Sequence, residues 1–151
     1  MTSQSDNGSQ AGEQRYRHLF EQMPICIFVA DLTVTPPILL EANRRAQLVY
    51  GYTAAELIGM PAAQLVPEEA RLAVMTIVQQ VQQGQTVTTE TINQRRDGTR
   101  FPVRVAAAPD PTDAGHMIVT VEDITAEKQR RSEAEAIDAE AAASPMRSTT
   151  A

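Results

Sequence analysis

Beyond Gly84 the apolar residues stop recurring every three or four positions and begin to alternate. Val87 to Arg95, Phe101 to Ala108 and Met117 to Val121 each repeat with period two, as a pleated strand with one buried face does. Arg96-Asp97-Gly98-Thr99 joins the first pair, and Asp-Gly tolerates the positive φ angles of a tight hairpin turn. Asp110 to Gly115 makes the second connection. Links this short allow only antiparallel neighbours, so these segments form a meander whose apolar face has to be covered by something upstream.

Upstream lie two compact apolar runs, Ile25 to Ala30 and Ile38 to Glu41, flanking the turn-prone Thr35-Pro36-Pro37. They predict two further strands in a hairpin. Asn43 caps a short helix through Val49, because its side-chain oxygen accepts a bond from an exposed amide of the first turn. Thr53 and Glu56 form a capping box for Ala54 to Ile58, and Gly59 ends that helix. Pro67-Glu68-Glu69 opens the longest helical pattern, with Val74, Ile77, Val78 and Val81 on one face and Gly84 at its end. Its acidic pair sits at the positive end of the helix dipole. The order predicts an α+β fold: one antiparallel sheet with short helices and one longer helix gathered on one face.

Both ends of the chain read differently from its middle. Met1 to Gly12 is rich in Ser, Gln, Asn and Gly and predicts a disordered tail. From Glu13, the residues Tyr16, Leu19, Phe20 and Met23 recur at helical spacing, so an amphipathic helix runs to the neighbourhood of Pro24. Its stripe needs a partner: the sheet, or the same helix of a second copy. After Thr125 the pattern is helical again and rich in Ala and Glu, over 127–143, until Ser144-Pro145 ends it and leaves 144–151 as a second tail. Ala134, Ile137 and Ala141 are too sparse along that helix for a stable coiled coil.

Composition excludes several classes of function. A chain of 151 residues is one domain in size, and with no Trp, three Tyr and three Phe its core is mostly aliphatic. A net charge of −6 opposes attraction to nucleic-acid phosphates and to anionic membranes. The single cysteine, Cys26, rules out an internal disulfide and a cysteine-rich zinc site, and its neighbours Ile25 and Ile27 mark it as a buried strand thiol. No stretch approaches the roughly 20 apolar residues of a membrane span, and Met1 to Gln14 lacks a signal-peptide core. The expected location is the cytoplasm. There is no Gly-rich phosphate loop, nucleophile elbow or paired histidine, so no enzymatic activity is expected. Asp31, Glu41 and Glu90 read as solvated or structural carboxylates near strand ends.

Four segments together carry a resemblance: Glu41-Ala42-Asn43-Arg44-Arg45-Ala46, Tyr50-Gly51-Tyr52-Thr53-Ala54-Ala55-Glu56-Leu57-Ile58-Gly59, Arg95-Arg96-Asp97-Gly98-Thr99 and Glu122-Asp123-Ile124-Thr125. In this order and at these separations the chain resembles, from about Tyr16 to Arg131, the PAS (S-box) sensory domains of bacterial kinases, cyclases and regulators, and the domain is placed at 13–126 with the leading helix included. The resemblance implies a five-stranded sheet in spatial order 2-1-5-4-3, its concave face enclosing a ligand cavity. It departs from the family's usual Gly-containing first hairpin at Thr35-Pro36-Pro37. It also implies that Asp123, Ile124 and Thr125 transmit a signal from the sheet into the exit helix, and that Tyr16, Leu19, Phe20 and Met23 form a dimer interface.

Candidate cavity residues are Asn43, Met75, Val78, Thr89, Thr91, Asn93 and Thr120. Glu68 to Gln83 holds no His for haem, and Met75, its one soft ligand, reads as core. His18 and His116 do not stand at a ligand position. Met60 to Val66 holds no Cys for the flavin photochemistry of the light-oxygen-voltage branch. No metal and no cofactor are therefore expected, with haem and covalent flavin-cysteinyl chemistry disfavoured. The combined reading is a single-domain PAS protein that senses or relays a signal by protein–protein contact, as a homodimer and with a separate effector such as a kinase or transcriptional regulator. Two alternatives stay open: a receptor holding a metabolite or flavin non-covalently, and a split or truncated input domain of a sensor kinase or cyclase.

Overall fold

Alternation along five strands builds the molecule. A computed structural model describes residues 2–149, with side-chain surroundings described for 10–142. Strands β1 (Cys26–Asp31), β2 (Ile38–Ala42), β3 (Val87–Gln94), β4 (Arg100–Pro109) and β5 (His116–Asp123) form one antiparallel sheet in order β2-β1-β5-β4-β3. This is the predicted order. The concave face presents Phe28 and Ala30 of β1, Leu39 of β2, Val103, Val105 and Ala107 of β4, and Met117 and Val121 of β5, all buried. Burying such side chains stabilises the fold by about 1.5–3 kcal/mol for each large one.

Helices α2 (Arg44–Tyr50), α3 (Ala54–Leu57) and α4 (Arg71–Gln82) cover that face. The predicted caps are in place: Asn43 accepts from the Ala46 amide, and Thr53 with Glu56 forms the reciprocal box. Ile77 and Val81 of α4 are buried, and Val78 packs against them. Glu68–Ala70 is a 3-10 turn, so α4 proper starts at Arg71, later than the acidic pair implied. At the β3–β4 hairpin, Gly98 has φ +87° while Asp97 accepts bonds from the Thr99 amide and hydroxyl. Gly115, at φ +87°, turns the chain before β5, where a Cβ would meet Thr33 Cγ2 at 2.7 Å.

The ends differ from expectation. Helix α1 spans Thr2–Gln22, so residues 2–12 are helical rather than disordered; Met1 lies outside the described residues. Once a turn is nucleated near Tyr16, each further residue adds a backbone bond, so the helix propagates into the polar segment. Helix α5 spans Thr125–Thr149 and passes through Ser144-Pro145, where the proline forfeits its own donor without ending the helix. Of the expected tail 144–151, only Thr150 and Ala151 lie outside the described residues. Helices α1 and α5 are therefore longer than α4.

Candidate functional site

Between α4 and the concave face lies a cavity of about 70 Å³. Phe28, Ala30 and Leu39 form one wall, Val105, Ala107, Met117, Val119 and Val121 the floor, and Leu65, Val74, Ile77 and Val78 the helical side. Polar groups gather at the β3 end. There Asn93 donates from Nδ2 to the Tyr50 hydroxyl at 2.5 Å, and Thr91 stands beside them on the same face. Burial pushes the Tyr50 phenol far above its ordinary value, so it stays protonated. A mostly apolar pocket with a few convergent polar groups is the usual form of a small-ligand site. Its volume holds only a few heavy atoms, since pockets for drug-sized ligands run to about 300–1,000 Å³.

Asn43, fully buried, does more than cap α2. Its Oδ1 accepts from the Ala46 amide at 3.1 Å and from the Ile27 amide at 3.0 Å. Its Nδ2 donates to the Phe20 carbonyl at 3.0 Å and the Ile25 carbonyl at 2.9 Å. One side chain thus ties the end of α1 and the start of β1 to the first turn of α2. Phe20 is buried there, stacked on Tyr16, whereas Tyr16, Leu19 and Met23 remain exposed. Partial burial, helped by Glu41 and Asp110, raises the Tyr16 phenol.

The exit from β5 is built from Asp123, Ile124 and Thr125. Asp123 Oδ1 accepts from the Thr125 amide at 2.9 Å and also from its hydroxyl, closing the turn that starts α5. Asp123 Oδ2 meets Arg95 Nη2 at 3.3 Å. Arg95 in turn donates from Nε to the Val49 carbonyl and lies over the Phe101 ring, which packs edge-on against Tyr50. Ile124 is buried, and its amide donates to the Pro102 carbonyl. The cavity's polar end and the start of α5 are therefore joined by a continuous chain of contacts.

A family model described as a PAS domain matches residues 24–126. The chain belongs to the PAS domain family. Among solved structures it is similar to an RNA-binding light-oxygen-voltage receptor, at 25% identity and a TM-score of 0.71, over 84% of this chain and 37% of that one. It is similar to the PAS domain of an HTR-like protein from Haloarcula marismortui, at 21% identity and a TM-score of 0.69, over 81% and 99%. It is also similar to a domain of a sensory box sensor histidine kinase/response regulator from Geobacter sulfurreducens, at 21% identity and a TM-score of 0.64, over 74% and 94%. The chain thus spans 37% of the length of the first of these. No curated protein matches it. PAS domains sense signals, and that role extends to this one.

Within this PAS domain the sequence-predicted cavity residues separate. Val78, Thr91 and Asn93 line the cavity. Thr89 shares their face, opposite Val105, without reaching the lining. Thr120 is a correction: it pairs with Ile27 and Ala106 on the outer face, because the inward set of β5 is Met117, Val119 and Val121. Met75 is another: at 56% exposure it lies on the outer side of α4, one position off the Val74–Val78 face. Asn43 is bonded entirely to backbone and is absent from the cavity wall. Sequence reasoning missed Tyr50 as a cavity residue, although it heads the Tyr50-to-Gly59 segment and ends α2 just before the left-handed Gly51.

The remaining chemistry is structural. Cys26 is buried on β1, and burial pushes its thiol up to about 12, so it stays a protonated, unreactive group. His116 Nδ1 lies 3.3 Å from Asp113. Among the described residues no three His, Cys, Asp or Glu side chains come together as a metal site, and no helix is long and apolar enough to cross a membrane.

Proposed function

We propose that this PAS domain relays its signal by protein–protein contact, with α1 and α5 as the output elements and a second copy of the chain as the first partner. The carrying observation is that the inner ends of both terminal helices are bonded to the body of the domain, α1 through Asn43 and the start of α5 through Asp123, while their outer faces stay exposed. A change in the sheet then reaches either helix through a bonded path, which is what a two-state switch requires. Tyr16, Leu19 and Met23 give α1 the apolar stripe for a self-complementary interface. The further partner is an effector of the kinase or regulator class, acting in the cytoplasm, and the domain performs no catalysis of its own. Sedimentation velocity tests the interface: the wild type should run as a dimer at micromolar concentration and Leu19→Glu as a monomer. A wild-type monomer sinks it.

A second reading rests on the Tyr50–Asn93 pair at the end of the cavity. There the signal is a small ligand of a few heavy atoms, apolar over most of its surface and hydrogen-bonded at one end. The light-oxygen-voltage receptors that the chain resembles raise flavin as a candidate, but the cavity has to open several-fold to admit one. Adding riboflavin phosphate and following flavin fluorescence separates the cases: unchanged emission excludes the flavin and leaves the smaller ligand.

A further inference from the structure

The outer face of the sheet carries a row of charge that lies apart from the Asn43 and Asp123 contacts. Glu90 of β3, Arg104 of β4 and Glu122 of β5 stand directly opposite one another in register. Two residues of α5 reach back to this row. Glu127 Oε2 lies 2.6 Å from Arg104 Nη2 and 3.1 Å from Arg131 Nη2. Arg131 in turn grips the Glu90 carboxylate with both nitrogens, at 3.0 and 3.3 Å. Arg104 is also 3.4 Å from Glu90 and 3.7 Å from Glu122.

Three carboxylates and two guanidiniums thus share oxygens across three strands and one helix. Isolated surface pairs contribute little, but a network with shared partners and a two-pronged Arg–carboxylate contact holds geometry.

Position along α5 gives the cluster its meaning. Asp123, Ile124 and Thr125 hold only the pivot of the helix. Among the described residues, every hydrogen bond between the sheet and α5 beyond Thr125 is made by Glu127 or Arg131. From Ser132 to Ala142 every residue of the helix is exposed. A helix fixed at one point can swing; fixed at a pivot and again one and two turns later, it points one way.

We propose that Glu90, Arg104, Glu122, Glu127 and Arg131 form an ionic latch that sets the direction of α5 against the sheet. Because its anchor spans β3, β4 and β5, sliding of these strands changes the spacing of the row and opens the latch, freeing the helix about Ile124. Arg104 is the positioning residue, since it touches all three carboxylates. The latch deepens the relay reading, but it concerns where α5 points, whichever protein reads that helix, so it is tested without a partner.

The experiment measures the distance between spin labels at Thr88→Cys on β3 and Ala136→Cys on α5, by pulsed electron paramagnetic resonance on the full chain. Cys26 is buried and stays unlabelled. With the labelled chain diluted into excess unlabelled chain, so that distances within one chain dominate, the parent protein should give one narrow distance peak. Arg104→Glu places a fourth carboxylate in the cluster and should abolish the narrow peak, with unchanged sheet content by circular dichroism. Combining Arg104→Glu with Glu127→Arg restores the opposite-charge pair and should restore the peak. Salt of about 1 M, where screening acts within roughly 3 Å, should broaden the parent's peak in the same way. If Arg104→Glu does not fold, Arg131→Gln on the exposed helix surface carries the same expectation. A peak unchanged by the substitutions, or one that the charge swap fails to restore, overturns the latch. The oligomer measurement proposed above is indifferent to either result.

Discussion

Asn43 uses all of its hydrogen-bonding capacity, two bonds accepted and two donated, inside the protein. Replacing it with Ala removes a helix cap, about 1 kcal/mol, and leaves at least one buried backbone group unpaired, about 1–3 kcal/mol more. Asn43→Asp is the sharper variant: it keeps the acceptor for Ala46 and Ile27 but sets an oxygen against the Phe20 and Ile25 carbonyls. Urea unfolding should show both variants destabilised by on the order of 3 kcal/mol, with α1 amides losing exchange protection first in the Asp variant. Only the cap was legible in the sequence, because capping is a local rule, whereas the bonds to Phe20 and Ile25 join residues far apart in the chain. Tyr50 and Asn93 pose the same lesson. Tyr50→Phe leaves the Asn93 amide without its partner and should cost about 1–2 kcal/mol, while Tyr50→Phe with Asn93→Leu should recover most of it, since removing both partners leaves no buried orphan. An uncoupled, additive pair of losses in that cycle would contradict the bond.

At the scale of elements, the strands and short helices were legible because each has its own period and its own caps. Alternation also placed Thr89, Thr91 and Asn93 on one face of β3, but it could not say that β5 turns Thr120 the other way. That is decided by the pairing of β5 with β1 and β4. Met75 fails for a related reason: one step around α4 is enough to move a side chain from cavity to solvent. The latch was invisible as such, although Glu127 and Arg131 stand in the favourable i,i+4 order, because Glu90 and Arg104 reach them only through the fold. Its pH response follows from the two carboxylates. Hydrogen bonds from Arg131 hold Glu90 below its ordinary 4.5, and hydrogen bonds from Arg104 do the same for Glu127, with Glu122 the remaining acidic group in the cluster. A lowered folded pKa means stabilisation that is full above the unfolded value and lost as pH falls through the folded one. Exchange protection in the first turns of α5 should therefore hold from about pH 8 to about pH 5 and fall away below the ordinary 4.5. Loss of that protection near neutral pH would contradict the assignment.

For the whole molecule, the sequence order of elements led to one antiparallel sheet with helices on one face, and the family resemblance supplied the strand order that the structure has. The ends were less legible: polar composition predicts disorder wherever burial is absent, yet α1 and α5 propagate from anchored turns at Phe20 and Ile124. Both anchors lead out of the same sheet, which supports the proposal that this PAS domain signals through its terminal helices. Native mass spectrometry of the freshly purified full chain tests this most directly, because it reports assembly and bound mass together. The account predicts a species of twice the 16.5 kDa chain mass with no added mass of flavin size. A monomer, or a chain carrying such a ligand, would contradict it.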